Sequence, residues 1–420
     1  MPPLPPELPA SGPIRPKRLA RAFRAFGLLA TAGGFALAGL LASLWLDHRK
    51  ETFLPEPSGP FAVGRTTYAW TDPAQADPMA PPGAPRELLA WIWYPAAPGR
   101  HEDVAGYLPA AWRKAVENRV GPLLATFLTR DLSRVHAHGI RDAAVAQDQR
   151  SYPVIFLRAG LAALTTNYTS LAEDLASHGY VVVGFDAPYR SFVVVLPDGT
   201  VIARAPGNNA ELFAGAEQQQ LAVRLVEAWS ADMRFALDRL ERLNASDPAS
   251  LFSGRLDLRR VGVFGHSLGG ATALQFCHDD PRCKAGADVD GAPLGSVIAE
   301  GVTQPFLFLL SSHGNEPVEE TRPVLANIRS IYDRLPPDRR VEIEIQGANH
   351  FLFSDDGALL KSPALRRTLR IFGILGIDGR RQLAITSYCL RTFFDAYLKG
   401  TGPSPQMLSS SLYPEIQVLK

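Results

Sequence analysis

Arg260-Val261-Gly262-Val263-Phe264-Gly265-His266-Ser267-Leu268-Gly269-Gly270 is a strand, a sharp turn and a helix start in one short run. The apolar residues 260–264 read as a buried strand, and Gly270-Ala271-Thr272-Ala273-Leu274-Gln275 opens a helix. Between them lies G-x-S-x-G, the pattern of a nucleophile elbow, which has meaning only in a strand–turn–helix setting. The glycines have a physical reason. The turn is so tight that a side chain two residues before or after Ser267 would strike neighbouring backbone. The strain lifts the serine hydroxyl clear of a sheet, and the helix N-terminus behind it favours negative charge. The bland alternative is an ordinary Gly-rich strand-to-helix turn.

Around this run, apolar stretches alternate with helical ones. Phe61–Trp70 and Glu87–Tyr94 read as an antiparallel opening pair, separated by a linker over Thr71–Pro85. Strands are expected at 153–157, 180–185, 285–289, 305–310 and 341–345. Helices are expected at 170–178, 216–243 and 385–398. Alternation of this kind predicts an α/β fold, with a mostly parallel central sheet and helices on both faces. Ligands in such sheets bind at the carboxyl ends of the strands. Two stretches fit this core poorly, 100–151 and 190–209. The second reads as a hairpin on Leu196-Pro197-Asp198-Gly199-Thr200. Both are candidates to frame a site, or simply to cover a sheet edge.

The N-terminus is different in kind. Residues 1–24 are Pro-rich and then basic, and are expected to be disordered. Ala25–Leu46 carries no charge and, as a helix, would span about 33 Å, enough to cross a bilayer. Arg15, Lys17, Arg18, Arg21 and Arg24 on its N-terminal side should stay in the cytoplasm and send the body across. An uncleaved anchor is therefore expected, giving an extracytoplasmic, membrane-anchored protein. The rivals are a cleaved signal sequence, which would leave a secreted or periplasmic chain, and a buried soluble helix. Residues 47–60 read as a linker, 61–400 as the folded body and 401–420 as a tail. A net charge of +1 and no basic stripe argue against a nucleic-acid partner. Of three cysteines, Cys277 and Cys283 could pair across five residues if the body is exported. The alternative is three buried thiols.

A serine hydroxyl needs a base, and histidine titrates near working pH. His350, in Gly347-Ala348-Asn349-His350-Phe351 just past a strand, is the expected base, with His313 its rival. His266 sits inside the elbow, points away from Ser267 and is expected to pack or hydrogen-bond. His136 and His138 show no carboxylate or Cys partner and suggest no metal site. The base needs a carboxylate to fix its tautomer. Asp290, Asp288 and Glu316 are the candidates between Ser267 and His350. Two backbone N–H donors are also needed for an oxyanion. Leu268 is one, and Leu161 the other, with Ala162 its neighbour. No metal or organic cofactor is implied.

Together these residues resemble the α/β-hydrolase superfamily and, within it, the platelet-activating-factor acetylhydrolase group, the plasma-type serine lipases. Trp91-Ile92-Trp93-Tyr94-Pro95 resembles that group's early strand. Leu161–Tyr189, above all Leu171-Ala-Glu-Asp-Leu-Ala-Ser-His-Gly179, resembles its oxyanion loop and following strand. Gly265–Gly295 resembles its elbow and acid strand, and Gly347–Phe353 its histidine loop. The resemblance places Asp290 where the group keeps its triad aspartate. It implies hydrolysis of short or oxidised sn-2 acyl esters of phospholipids without calcium, so the expected partner is a small-molecule or lipid ester. A general carboxylesterase or polyester hydrolase is the enzymatic alternative, and an inactive hydrolase-like binding protein the alternative of another class. The chain departs from the group in having Ala159-Gly160 where a His-Gly pair is usual, and in its N-terminal segment.

Overall fold

The computed structural model describes residues 16–98, 104–312, 318–360, 376–402 and 411–419. The chain begins with α1 (Pro16–His48), β1 (Thr52–Phe53) and the long pair β2 (Ala62–Ala76) and β3 (Pro85–Ala96). There follow β4 (Val104–Gly106), α2 (Ala110–Val120), α3 (Pro122–Leu128), β5 (Val135–Arg141), β6 (Tyr152–Arg158), α4 (Thr169–Ser177) and β7 (Val181–Asp186). A small hairpin of β8 (Val193–Val195) and β9 (Val201–Ala203) precedes α5 (Gly215–Ala245). The second half is β10 (Leu256–His266), α6 (Leu268–Asp279), β11 (Cys283–Val289), α7 (Val297–Glu300), β12 (Phe306–Leu310), α8 (Val318–Tyr332) and β13 (Arg340–Ile345). It closes with α9 (Asp356–Leu359), α10 (Gly379–Leu398) and β14 (Ile416–Val418).

The sheet order is β1-β5-β2-β3-β7-β6-β10-β11-β12-β13-β14, with β4 beside β5. The six strands from β7 to β13 in that order are mutually parallel, and β3 joins β7 antiparallel. Both faces are buried, and single strands show it. In β6, Ile155 and Leu157 enter one core while Val154 and Phe156 enter the other. Strand side chains alternate in direction, so a continuous apolar run serves two cores at once. From β6 the chain steps to β7 on one side, and β10 lies on the other side. The crevice at the carboxyl ends of β6 and β10 is thus a switch point, where such sheets bind ligands.

Several expected boundaries move. β2 runs on to Ala76 and β3 starts at Pro85, so about half of the expected 71–85 linker is strand, with a register shift between Asp72 and Ala76 around Pro73. The 47–60 linker supplies β1, which pairs with β5, and Ser58 and Gly59 hydrogen-bond to Asp174 and Ser177 of α4. The 401–420 tail contributes β14 to the sheet edge. The 100–151 stretch holds two strands besides its helices, and Gly106 and Val104 pair with β5. Pro16–Arg24 belongs to α1 rather than to a disordered arm, while residues 1–15 lie outside the described residues. Phe26–His48 is long and apolar enough to cross a membrane and has none of its apolar window buried.

Buried charge fixes the 190–209 stretch. The Arg190 guanidinium bonds Asp77, in the β2–β3 turn, and Asp232 of α5 at 2.7 Å. Breaking one partner of such a buried pair strands the other charge, at a cost of about 3–5 kcal/mol. Arg158 lies 3.9 Å over the Trp229 ring and donates to the Phe185 carbonyl at 2.7 Å, locking β6, β7 and α5 together.

Cys277 and Cys283 form a disulfide, which ties the end of α6 to the start of β11. Cys389 is buried, and burial pushes its thiol up to about 12. Loop-closure entropy for so short a loop gives about 2 kcal/mol. Replacing both cysteines by alanine should lower the unfolding free energy by about that amount, read in urea titration under oxidising conditions. The same titration with reductant should bring the parent down to the double variant.

Candidate active site

Ser267 sits between β10 and α6 at φ 58° and ψ −126°, a strained backbone that serine adopts only where its surroundings dictate it. The surroundings are close-packed main chain. A Cβ on Gly265 would lie 2.0 Å from the Gly269 carbonyl oxygen. One on Gly269 would lie 2.2 Å from the Arg158 carbonyl oxygen, and one on Gly270 would overlap Asp288 Oδ1. So α6 is pressed against the end of β6, and the elbow cannot relax.

Asp290 ends β11 with φ 56° and is almost wholly buried. It accepts three hydrogen bonds at 2.7 Å. One comes from His350 Nδ1 to Oδ2, one from the Ser311 N–H to Oδ1, and one from Ser311 Oγ to Oδ2. Burial works to raise this carboxyl, but the bonds and charge of His350 and Ser311 outweigh it and hold it below the ordinary range. Because Nδ1 is engaged, Nε2 is the imidazole nitrogen left to face a reacting group. The His350 ring lies 4.6 Å from the ring of His266, the residue before Ser267, at a tilt of 40°. Ser267 Oγ itself makes no hydrogen bond to the imidazole among the described residues. In the absence of substrate such bonds are often long and tighten on binding.

Asp288 lies one pleat deeper. It accepts from the Gly291 N–H at 2.8 Å, and burial drives its carboxyl well above the ordinary range. It does not meet His350. Glu316 and His313 lie outside the described residues. Against expectation, His136 does have a carboxylate partner, with Nε2 2.6 Å from Glu51 Oε2.

Leu268 opens α6, where the first N–H groups have no intrahelical acceptor. Leu161 lies in a turn closed by the Ala163 N–H on the Gly160 carbonyl, with Ala162 at φ 64°. Both leucine side chains pack, with Met79 and Phe213, on one small apolar cluster of Ala210, Leu221 and Leu225. A Cβ on Gly160 would lie 3.3 Å from Ser267 Cβ, so this loop runs directly past the serine.

Three further residues were not legible in the sequence. Ser311 follows β12, and the β11–β12 register, Val289 against Leu309, is the only signal that could have placed it beside Asp290. Tyr168 Oη is hydrogen-bonded to His266 Nδ1 at 2.7 Å and accepts the Gly160 N–H at 3.2 Å. Burial, the nearby His350 charge adding to it, drops His266 to about 3, so it stays neutral. Asp355, five residues past His350, caps α4 by accepting from the N–H groups of Thr169 and Ser170 at 3.0 Å. Its own N–H donates to the Asn167 carbonyl at 2.6 Å. The histidine segment and the loop before α4 are therefore bolted together. No sequence pattern marks Tyr168 or Asp355.

With this geometry in view, comparisons with known proteins are informative. A family model described as "Platelet-activating factor acetylhydrolase, isoform II" matches residues 48–195, and one described as "PET hydrolase-like" matches residues 222–363. The chain is 26% identical over 413 residues to a "Probable 1-alkyl-2-acetylglycerophosphocholine esterase" of Arthroderma benhamiae, covering 92% of this chain and 99% of that one. It is an α/β-hydrolase that resembles platelet-activating-factor acetylhydrolase. The acetylhydrolase of Canis lupus familiaris is 28% identical over 222 residues, 49% of this chain, and the match spans about half of that relative, 48%. The solved structure of a ferulic acid esterase from Streptomyces cinnamoneus superposes with a TM-score of 0.71 at 28% identity, covering 88% of this α/β-hydrolase and all of that chain.

Two predictions follow from the bonds around Asp290 and Asp355. Ser311→Ala removes the Oγ–H donor to a buried carboxylate and keeps the backbone N–H bond, a loss worth about 1.5 kcal/mol or more. It should lower kcat on p-nitrophenyl acetate by about tenfold or more with little change in KM. Asp355 is held up to about 7, by burial first. Its folded pKa thus exceeds the unfolded value of about 3.9, and the folded state holds the extra proton between them. The stabilisation that Asp355 contributes should be fully present below about pH 4 and be lost as pH rises through about 7. Asp186, held at about 6 by burial, acts in the same direction. In urea titrations at pH 5 and pH 8, Asp355→Asn should lose clearly less stability than the parent; an equal loss would exclude Asp355 as the source.

Proposed function

We propose that this ester-hydrolysing enzyme works through Ser267, His350 and Asp290, cleaving short acyl esters by way of an acyl-enzyme. The observation that carries the reading is the run of bonds from Ser311 through Asp290 to His350 Nδ1, delivered beside a serine on a strained elbow. His350 Nε2 takes the proton of Ser267 Oγ as the oxygen attacks the ester carbonyl. The Leu268 and Leu161 N–H groups receive the charge that develops on the carbonyl oxygen. His350 then gives the proton to the departing alcohol. A water activated by His350 attacks the acyl-serine, releasing the acid and restoring Ser267. Asp290 orients the ring and stabilises its charged form throughout.

The acyl side is supported by the apolar cluster that gathers Leu161 and Leu268, which would set hydrocarbon rather than polar groups against the reacting carbonyl. An acetylhydrolase-like, phospholipase A2-like reaction fits the family model matched over residues 48–195 and the esterase relative that covers 92% of the chain. A general carboxylesterase or polyester hydrolase is favoured by the "PET hydrolase-like" match, which covers all three of Ser267, Asp290 and His350. An acyl-length series on p-nitrophenyl esters separates the two.

The chain is further proposed to be anchored by α1, with its body outside the cytoplasm. The basic residues at 17–24 precede the apolar span, and a disulfide suits an oxidising compartment.

Ser267→Ala should abolish turnover of p-nitrophenyl acetate, and Asp290→Asn should reduce kcat by about 10⁴-fold. Glu316→Gln should cost far less, and a reversed ranking would move the acid. Retained turnover or retained fluorophosphonate labelling in Ser267→Ala would refute the mechanism, and failure of the parent to label would point to a binding protein instead.

A further inference from the structure

The last turns of α1 pack against α3, and between them and the segment after His350 lies a cavity of about 1120 Å³. Leu40 and Leu44 of α1 form one wall, Ala125 and Phe127 of α3 a second, and Phe351 and Leu352 a third. This is at or above the upper end of the range for sites that bind small organic ligands. The cavity is framed by fixed bonds. Arg130 donates to the Asp47 carbonyl at the end of α1 at 3.0 Å, and to the carbonyls of Leu359 and Leu360 at 2.9 and 3.1 Å. His48 Nδ1 lies 2.8 Å from the Thr129 carbonyl. The end of the apolar helix is thereby stapled to the histidine side of the body.

Beside polar lining residues such as Glu117, Arg130 and Asp356, large apolar side chains are left uncovered. Leu123 and Leu124 of α3 are 74% and 54% exposed, and Phe351, next to His350, is 70% exposed. Large exposed apolar groups in one region mark a contact surface. The neighbour can be identified from α1. Phe26–His48 has the length and composition of a membrane span. Leu44 and Leu40 lie four and eight residues inside its end, or about 6 and 12 Å along the axis. Leu44 thus lies at the depth of about 5–10 Å at which interfacial helices bury their apolar faces, and Leu40 just beyond it. The cavity wall and α3 therefore stand at the level of the leaflet facing the body.

We propose that this cavity takes up the hydrocarbon chain of an ester-bearing membrane lipid directly from that leaflet, holding the lipid while its short ester reaches Ser267. The proposal rests on the anchored ester-hydrolase reading above. A lipid bound in this way need not pass through water, and Phe351, which lines the cavity, is the residue next to His350. A small soluble ester has no use for it.

The test uses the full chain reconstituted into phosphatidylcholine vesicles. Leu44→Trp and Thr126→Trp fill the cavity from opposite walls. For each, kcat/KM is measured on p-nitrophenyl acetate and on a long-chain 1-alkyl-2-acetyl-glycerophosphocholine carried in the vesicles. The ratio of the second to the first should fall at least tenfold in both variants, and an unaltered ratio in both overturns the proposal. As a readout independent of turnover, a phosphatidylcholine with a diazirine in its acyl chain should label peptides holding residues 40–44 and 125–127. The tryptophans should cut that labelling at least fivefold. Labelling confined to residues 26–39 overturns the proposal whatever the kinetics. A parent chain inactive on both esters defeats the hydrolase reading alone, since the crosslink still reads the cavity, and a chain that leaves the vesicles in carbonate defeats the anchor.

Discussion

The contact of α6 with the ends of β6 and β10 is the constraint on which the site depends. No side chain fits at Gly265 or Gly269, because the space is occupied by main-chain carbonyls of α6 and β6. That contact forces Ser267 into a conformation that an unconstrained serine avoids, and the cost of order 1–3 kcal/mol is borne by the packed sheet. It also brings the Gly160 loop against the serine and the first N–H groups of α6 toward the same crevice. One close approach of backbone therefore arranges the serine, the helix terminus and the neighbouring loop together.

Around this fixed point the other groups are held by bonds rather than by packing alone. Asp290 is buried, and donors from His350 and Ser311 answer its charge there. His350 is held from behind by Asp290 and from below by His266, which burial keeps neutral and Tyr168 keeps oriented. Asp355 couples the histidine segment to α4, and so to the loop that carries Leu161. The two halves of the site come from chain segments some two hundred residues apart, and a single buried carboxylate bridges them.

The side of the molecule that meets α1 has a different logic. The core is covered on both faces of the sheet, yet α1 is bare, and α3 and Phe351 add to its apolar surface. Arg130 and His48 fix this bare helix to the body with directional bonds, so its orientation relative to the site is set by structure rather than by a loose tether. As the proposed anchor, a helix held in this way would give the site a constant face toward the bilayer.

The sequence by itself determined whatever is written in local pattern. The alternation of buried strands and amphipathic helices gave the parallel sheet, since period 2 and period 3.6 are visible in a single run of residues. The elbow was legible because its glycines mark a steric demand, and Asp290 and His350 because they directly follow strands. What the pattern could not show is pairing between distant segments. β1, β5 and β14 are short edge strands whose partners lie far along the chain, and the 47–60 and 401–420 stretches looked like connectors for that reason. Ser311, Tyr168 and Asp355 are ordinary residue types whose roles arise only from what stands opposite them. Only the tertiary structure decided that Asp290 rather than Asp288 meets the histidine, because one strand end faces the crevice and the pleat below it faces α6.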